Sequence, residues 1–328
     1  MGVMPLLIAA IALQPCGTRS ASTSPSNFVY FGRDHEPAME AEFLERAGVD
    51  GAQLTFTWRE LEKARDQYDL AVIEEHLEVL TRHGKGLWIQ LADVTFSERV
   101  PVPDYLLADT SFHGGAARKY EGGDGVFDGW VARRWDPAVR GRFARLLEAL
   151  AAEFDGRIEG LNLVETAIGF EDPRFHPPGF SFEAYAFGVL EMMRAAGRTF
   201  RSSCVIVYAN FMPGEALPST DHGYLRGVYN LAGGVGVGVG GPDLLPFRDG
   251  QRRNSLPLIA ARGAYVVAGM AVQDRNLSEV DPRTGKPVTV ESLYGFARDE
   301  FRLDYIFWGR EEPYYSRDVL PFLESLLR

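Results

Sequence analysis

The chain has 328 residues, of which 46% are hydrophobic and 24% charged. That is ordinary globular composition with length enough for one large core, and it excludes disorder as the default state. Lys and Arg total 34 against 45 Asp and Glu, a formal net charge of −11. An acidic surface repels phosphate backbones and anionic headgroups, which argues against nucleic acid as a partner and suits neutral substrates.

In chain order, residues 1–22 come first. The apolar stretch from Pro5 to Leu13 is too short to span a bilayer and has the length of a secretory h-region, so we read it as a cleaved export leader. The n-region Met-Gly-Val-Met carries no Lys or Arg. Cys16, after Leu13-Gln14-Pro15, resembles a lipoprotein acylation site. The expected location is therefore secreted or periplasmic, with lipid anchoring through Cys16 as the variant. No later segment reaches about 18 consecutive apolar residues, so no integral membrane segment is expected after the leader.

Residues 23–328 read as one domain. After a Ser/Thr/Pro-rich linker, short β-type runs alternate with amphipathic helical runs, the pattern of a parallel sheet covered by helices. Strands are expected at 28–31, 52–56, 86–91, 158–164, 204–208, 234–239, 264–272 and 305–308. Helices are expected at 38–47, 70–83, 137–154, 182–196, 224–231, 255–262, 291–301 and 319–327. Pro37 and Pro137 mark helix starts, and Gly48, Gly84, Gly156 and Gly197 mark helix ends. The fold class is α/β, a single (β/α)8 TIM barrel. Connections after strands are long and those after helices short, which puts the working site at the strand C-termini. The longest, from Ala92 to Asp136, is rich in glycine and aromatic residues; loops of that length commonly act as lids or binding walls.

Thr57-Trp58-Arg59-Glu60-Leu61-Glu62, followed by Gln67-Tyr68-Asp69-Leu70, resembles the W-x-x-L-E-P…G-x-Y-D-F segment after strand 2 of the retaining (β/α)8 glycoside hydrolases grouped as clan A. The resemblance implies a general acid at Glu165, which closes strand 4, and a sugar-subsite floor at Trp308, which ends strand 8. It also implies a nucleophile at the end of strand 7, where this chain has Gln273. The clan has Asn directly before its acid; here Val164 stands there and Asn162 lies three residues back.

Glu165 also stands on physical grounds. A carboxyl group leaving an apolar strand at a barrel rim is partly desolvated, which raises its pKa and keeps it a proton donor near neutrality. The competing reading is a structural Glu paired with Arg. Glycoside hydrolysis usually needs a second carboxylate, roughly 5 Å away for retention or about 6.5–9.5 Å for inversion. Asp243, after Gly240-Gly241-Pro242, and Asp274, one residue beyond Gln273, are the candidates; each also suits a plain loop or helix cap. Asp34, His35 and Glu36 after strand 1, Asn210 after strand 5, and Arg310, Glu311 and Glu312 after strand 8 are expected at the same mouth. With Gln273 and Trp58, Asp34, His35, Asn210 and Trp308 are the expected sugar-binding residues. Trp130 and Trp135 extend the possible platform, because indole packs against sugar C–H faces.

The run Gly233 to Gly241 alternates like a strand and lacks a following helix N-terminus, so it reads as small residues in a crowded barrel and not as a nucleotide loop. The six histidines show no ligand spacing, and no metal or other cofactor is expected. The leading function is a glycoside hydrolase acting on a poly- or oligosaccharide with Glu165 as acid and an Asp as second carboxylate. The alternative is a non-catalytic glycan-binding barrel in which Gln273 replaces the nucleophile. Barrel lyases and aldolases are less well supported, because Lys63, Lys85, Lys119 and Lys286 all fall away from the expected strand ends.

Overall fold

The computed structural model describes residues 24–32, 41–121, 125–273 and 275–328. The leader, with Cys16, and the candidates Asp34, His35, Glu36 and Asp274 lie outside the described residues. Eight parallel strands close into a barrel: β1 (Ser26–Tyr30), β2 (Gly51–Thr57), β3 (Gly86–Ala92), β4 (Gly160–Leu163), β5 (Cys204–Tyr208), β6 (Gly238–Gly241), β7 (Ala268–Val272) and β8 (Tyr305–Gly309). They neighbour one another in chain order, and β8 returns to β1 through pairs such as Phe28 with Phe307. Helices α1 (Ala41–Glu45), α2 (Ala71–Arg82), α3 (Pro137–Phe154), α4 (Phe182–Thr199), α5 (Tyr224–Val235), α6 (Ser255–Ala261), α7 (Val290–Gly295) and α8 (Leu320–Ser325) follow the strands in turn. Among the described residues no helix is long and apolar enough to cross a membrane.

Strand periodicity divides the core in two. Inside the barrel, Phe28, Trp88, Ile206, Tyr208, Tyr305 and Phe307 form one cluster, with Trp88 meeting Tyr305 edge-on at 4.9 Å and Phe307 at 5.3 Å. Glycines opposite give these rings their space: a Cβ on Gly160 would stand 2.5 Å from the Trp88 ring, and one on Gly269 2.9 Å from Phe307. The outer faces of the strands, such as Leu54, Ile89, Leu161 and Val239, pack against the helices. In the glycine-rich sixth unit, a Cβ on Gly238 would stand 3.1 Å from Ile206 and one on Gly240 1.8 Å from the Gly269 carbonyl, so small residues in a crowded barrel are what it supplies.

Local capping sets several boundaries. Asp136 accepts from the backbone N–H groups of Ala138 and Val139, with Pro137 in the first turn of α3, and Ser181 accepts from Ala184 at the start of α4. Two expectations need correction. Residues 233–235 are not strand but the last turn of α5, whose buried face is Leu225, Val228 and Ala232; a left-handed Gly236 ends it. Gly-Val alternation mimics a strand, while the spacing of the buried residues upstream is helical. Gly197 does not end α4 but lies within it, and its missing side chain lets the Val235 carbonyl approach to 2.0 Å from where a Cβ would be.

In the long connection after β3, Val94–Thr95, Ala116–Glu121 and Val126–Ala132 form a small antiparallel sheet, with a short helix Asp104–Ala108 between its first two strands. Gly160→Ala is expected to lower stability by about 1–3 kcal/mol, because Trp88 has no free volume into which to retreat. Urea unfolding measures this, and a loss as small as that of a surface Gly→Ala change would contradict the packing described.

Candidate active site

Glu165 reaches the mouth through a break in strand alternation. Asn162 points inward, but Leu163 and Val164 both pack toward the helix layer. That extra outward residue turns Glu165 to the same side as Asn162. Its Oε2 accepts from Asn210 Nδ2 at 3.0 Å, and Asn210 Oδ1 is held by the Phe211 N–H at 3.0 Å.

The backbone around Glu165 is clamped. Arg134 Nη1 donates to the Glu165 carbonyl at 2.9 Å, while Arg134 grips Asp93, directly after β3, through two bonds of 2.8 and 2.6 Å. Both charged side chains of this pair are buried. Arg134 also donates to the Tyr185 hydroxyl, which in turn donates to the Thr166 carbonyl at 2.8 Å. Thr166 donates from its backbone to Tyr208 and from its hydroxyl to the Phe211 carbonyl.

Burial pushes the Glu165 carboxyl above the usual range. The Asn210 hydrogen bond opposes the shift, the Asp243 charge adds to it, and the Lys119 and Arg134 cations oppose it. Asp243 sits just past β6 and is held by donors: Asn276 Nδ2 at 3.1 Å, Gln251 Nε2 at 3.3 Å and the Arg248 guanidinium at 3.6 Å. Asn276 also receives the Gln273 N–H at 2.9 Å, so β6 and β7 end on one shared side chain.

Beneath the two carboxylates the barrel interior turns polar. Thr55 donates to Gln90 at 2.7 Å, Gln90 to Asn162 at 3.1 Å, and the Tyr30 hydroxyl lies 3.4 Å from Thr55. The Gln53 amide lies beside the Tyr208 phenol, yet neither completes a hydrogen bond. Asn162 therefore belongs to this polar plug below the mouth.

Two expected sugar contacts are elsewhere. Trp308 faces the helix layer, 0% exposed, with Nε1 donating to Asn27 at 3.0 Å; the inward neighbours are Phe307 and Gly309, so the indole cannot floor a subsite. Trp58 is likewise buried on the outer side. Its Nε1 donates to Glu62 at 2.7 Å, and Glu62 also receives Arg142 at 2.6 Å. The Trp-x-x-Leu-Glu segment thus anchors the loop after β2. Trp135 packs among Phe170 and Phe180, whereas Trp130 lies on the small sheet below Arg118. Gln273 is half-buried at the end of β7. Glu311 receives the Arg275 N–H at 2.9 Å, and Glu312 binds the Ser316 hydroxyl.

Asp93, Arg134 and Lys119 are among the site residues that were missed, as are Arg248, Gln251 and Asn276 around Asp243. Asp93 had a signal, its place directly after strand 3. Arg134 had none, since its partner is 41 residues away. Lys119, expected away from the strand ends, lies on the inserted sheet and contributes to the field at Glu165. Among the described residues no group of three His, Cys, Asp or Glu side chains forms a candidate metal site.

No protein-family model and no curated protein matches the chain. Solved structures do. The catalytic domain of a β-amylase from Paenibacillus polymyxa superposes with a TM-score of 0.57 at 8% identity, covering 88% of this chain and 93% of that one. Endo-glycoceramidase II from Rhodococcus sp. gives 0.58 at 13%, covering 92% and 75%. A GH10 endoxylanase retrieved from a sugarcane soil metagenome gives 0.50 at 12%, covering 87% and 86%. At these identities the likeness shows the fold: this chain has the (β/α)8 barrel that these glycoside hydrolases share.

Arg134→Met would leave Asp93 as a buried, unpaired charge. We expect a loss of about 3–5 kcal/mol in urea unfolding. A loss under about 1 kcal/mol, the range of an exposed pair, would contradict the buried clamp.

Proposed function

We propose that the protein is a glycoside hydrolase acting on a poly- or oligosaccharide, with Glu165 as general acid and Asp243 as the second carboxylate. The observation that carries this reading is a buried Glu165 just past β4 with the Asp243 carboxylate close enough to add to its raised pKa. Burial raises the Glu165 pKa and the Asp243 charge adds to that shift, while Asp243 itself is held by the amides of Gln251 and Asn276 and by the Arg248 guanidinium. A carboxyl group whose pKa is raised by burial and by a neighbouring carboxylate is suited to act as the proton donor.

In this mechanism the Glu165 proton passes to the glycosidic oxygen as the C–O bond breaks. Asp243 then either attacks the anomeric carbon or removes a proton from the water that does so. Asn210 fixes the Glu165 carboxyl, and the Arg134 bond to its carbonyl fixes the backbone. The superposition on barrels that cleave glycans supports this reading at the level of fold. Gln273 at the end of β7 favours a second reading, a barrel that binds glycans without turnover. The apolar run from Pro5 to Leu13 supports action outside the cytoplasm.

The test is product release from plant, algal and bacterial glycans, read by chromatography. Wild type is expected to cleave at least one, with turnover reduced on the order of 10²–10⁴-fold by Glu165→Gln and strongly by Asp243→Asn. NMR of the first anomer formed would then assign Asp243 as nucleophile or base. A fully active Glu165→Gln would overturn the acid assignment; saturable binding without products would favour the second reading.

A stability measurement follows from the same group. The folded-state pKa of Glu165 lies above its unfolded value, so its contribution is present below the ordinary carboxylate range and is lost as pH rises through the folded pKa. Gln does not titrate. The Tm of Glu165→Gln minus that of wild type is therefore expected to grow from acid toward neutral pH and then level off. A difference independent of pH would contradict the raised pKa.

A further inference from the structure

The small sheet inserted after β3 carries an exposed aromatic ring on the mouth side of the barrel. Among the described residues three aromatic side chains are strongly exposed: Phe96 at 58%, Phe187 at 54% and Tyr265 at 85%. Phe187 lies on the outer surface of α4 near Arg140, and Tyr265 precedes β7 at the opposite end of the barrel from the mouth. Phe96 is three residues beyond Asp93, on the mouth side.

Its position is built. Asp128 is an extra residue in strand Val126–Ala132, a β-bulge opposite the step from Lys119 to Tyr120. Next to it Gly129 takes a φ of 117°, and a Cβ there would stand 2.0 Å from the Thr95 carbonyl. The bulge lets the Asp128 carboxylate and carbonyl both receive the Lys119 ammonium. Lys119 is buried, and its Nζ sits over the Phe96 ring, 3.7 Å from the centroid. That same ammonium contributes to the electrostatic field at Glu165. One face of Phe96 is held by a cation; its exposure places the other toward solvent.

We infer that Phe96 is a sugar-stacking platform for a unit beyond the two joined by the scissile bond, and that the substrate is a chain of neutral sugar units. The inference rests on the site reading above and names its substrate class. Apolar C–H faces of pyranose rings pack on aromatic faces. Lys119 is neutralised by Asp128, so the platform offers no unpaired cation to attract a uronate or sulfated sugar. A single-sugar glycoside would not reach the ring, whereas an oligosaccharide would.

The test is calorimetric affinity of Glu165→Gln, which retains the cleft, for β-1,4-linked glucose, xylose and mannose oligomers of increasing length. For whichever series binds, adding Phe96→Ala is expected to weaken the longer oligomers by about fivefold to tenfold and to leave the shortest unchanged. Phe96→Tyr should restore affinity, and Phe187→Ala should have no effect. Equal affinity with and without Phe96 at every length, or no binding by the parent, would overturn the inference. Phe96-dependent binding by a wild type that releases no product would instead sink the catalytic reading and leave the platform standing.

Discussion

The buried Arg134–Asp93 pair is the interaction on which the geometry of the mouth depends. Taking two ions out of water costs several kcal/mol each, and their attraction offsets this only when the geometry is bidentate and the remaining donors are used. Here both conditions hold. Two bonds join the guanidinium to Asp93, and its remaining donors reach the Glu165 carbonyl and Tyr185. The pair ties the end of β3, the entry to α3 and the end of β4 together. Arg140 of α3 closes the arrangement by donating to the Arg134 carbonyl at 2.9 Å. A weak contributor to net stability, such a pair is well suited to fixing one arrangement among several.

That rigidity lets opposing fields act on one carboxyl. Burial and Asp243 favour the neutral Glu165, while Asn210, Lys119 and Arg134 favour its anion. A group that must give up a proton and later take one back needs such a balance, since full burial alone would make the anion inaccessible. Two of the opposing groups, Lys119 and Arg134, come from the connection after β3. The insertion thus supplies part of the site's electrostatics as well as its wall.

Much of the barrel was legible because each strand is an apolar run bounded by turn residues, and Gly48, Gly84 and Gly156 do adopt the left-handed conformation that ends a helix. The sixth unit failed where Gly-Val alternation continued a helix. Trp308 failed by one residue of parity: Phe307 faces the interior and its neighbour therefore faces the helices, and a single step exchanges the two. Glu165 shows the converse. Strict alternation from Asn162 would turn it outward, and only the break at Leu163 and Val164 directs it to the mouth. The Asp93–Arg134 and Lys119–Asp128 pairs were not readable from local pattern, because the first joins distant segments and the second depends on a bulge. The chemistry of the mouth is thus assembled mostly by tertiary contacts that one-dimensional periodicity does not encode.

The mechanism rests on the raised pKa of the buried Glu165. The direct measurement is a carboxyl titration of the protein labelled with ¹³C at glutamate side chains, with Glu165 assigned by comparison with Glu165→Gln. The account predicts an apparent pKa clearly above the ordinary glutamate value of about 4.3, and one that falls when Asp243 is replaced by Asn. A pKa at or below the ordinary value, unmoved by Asp243→Asn, would contradict it.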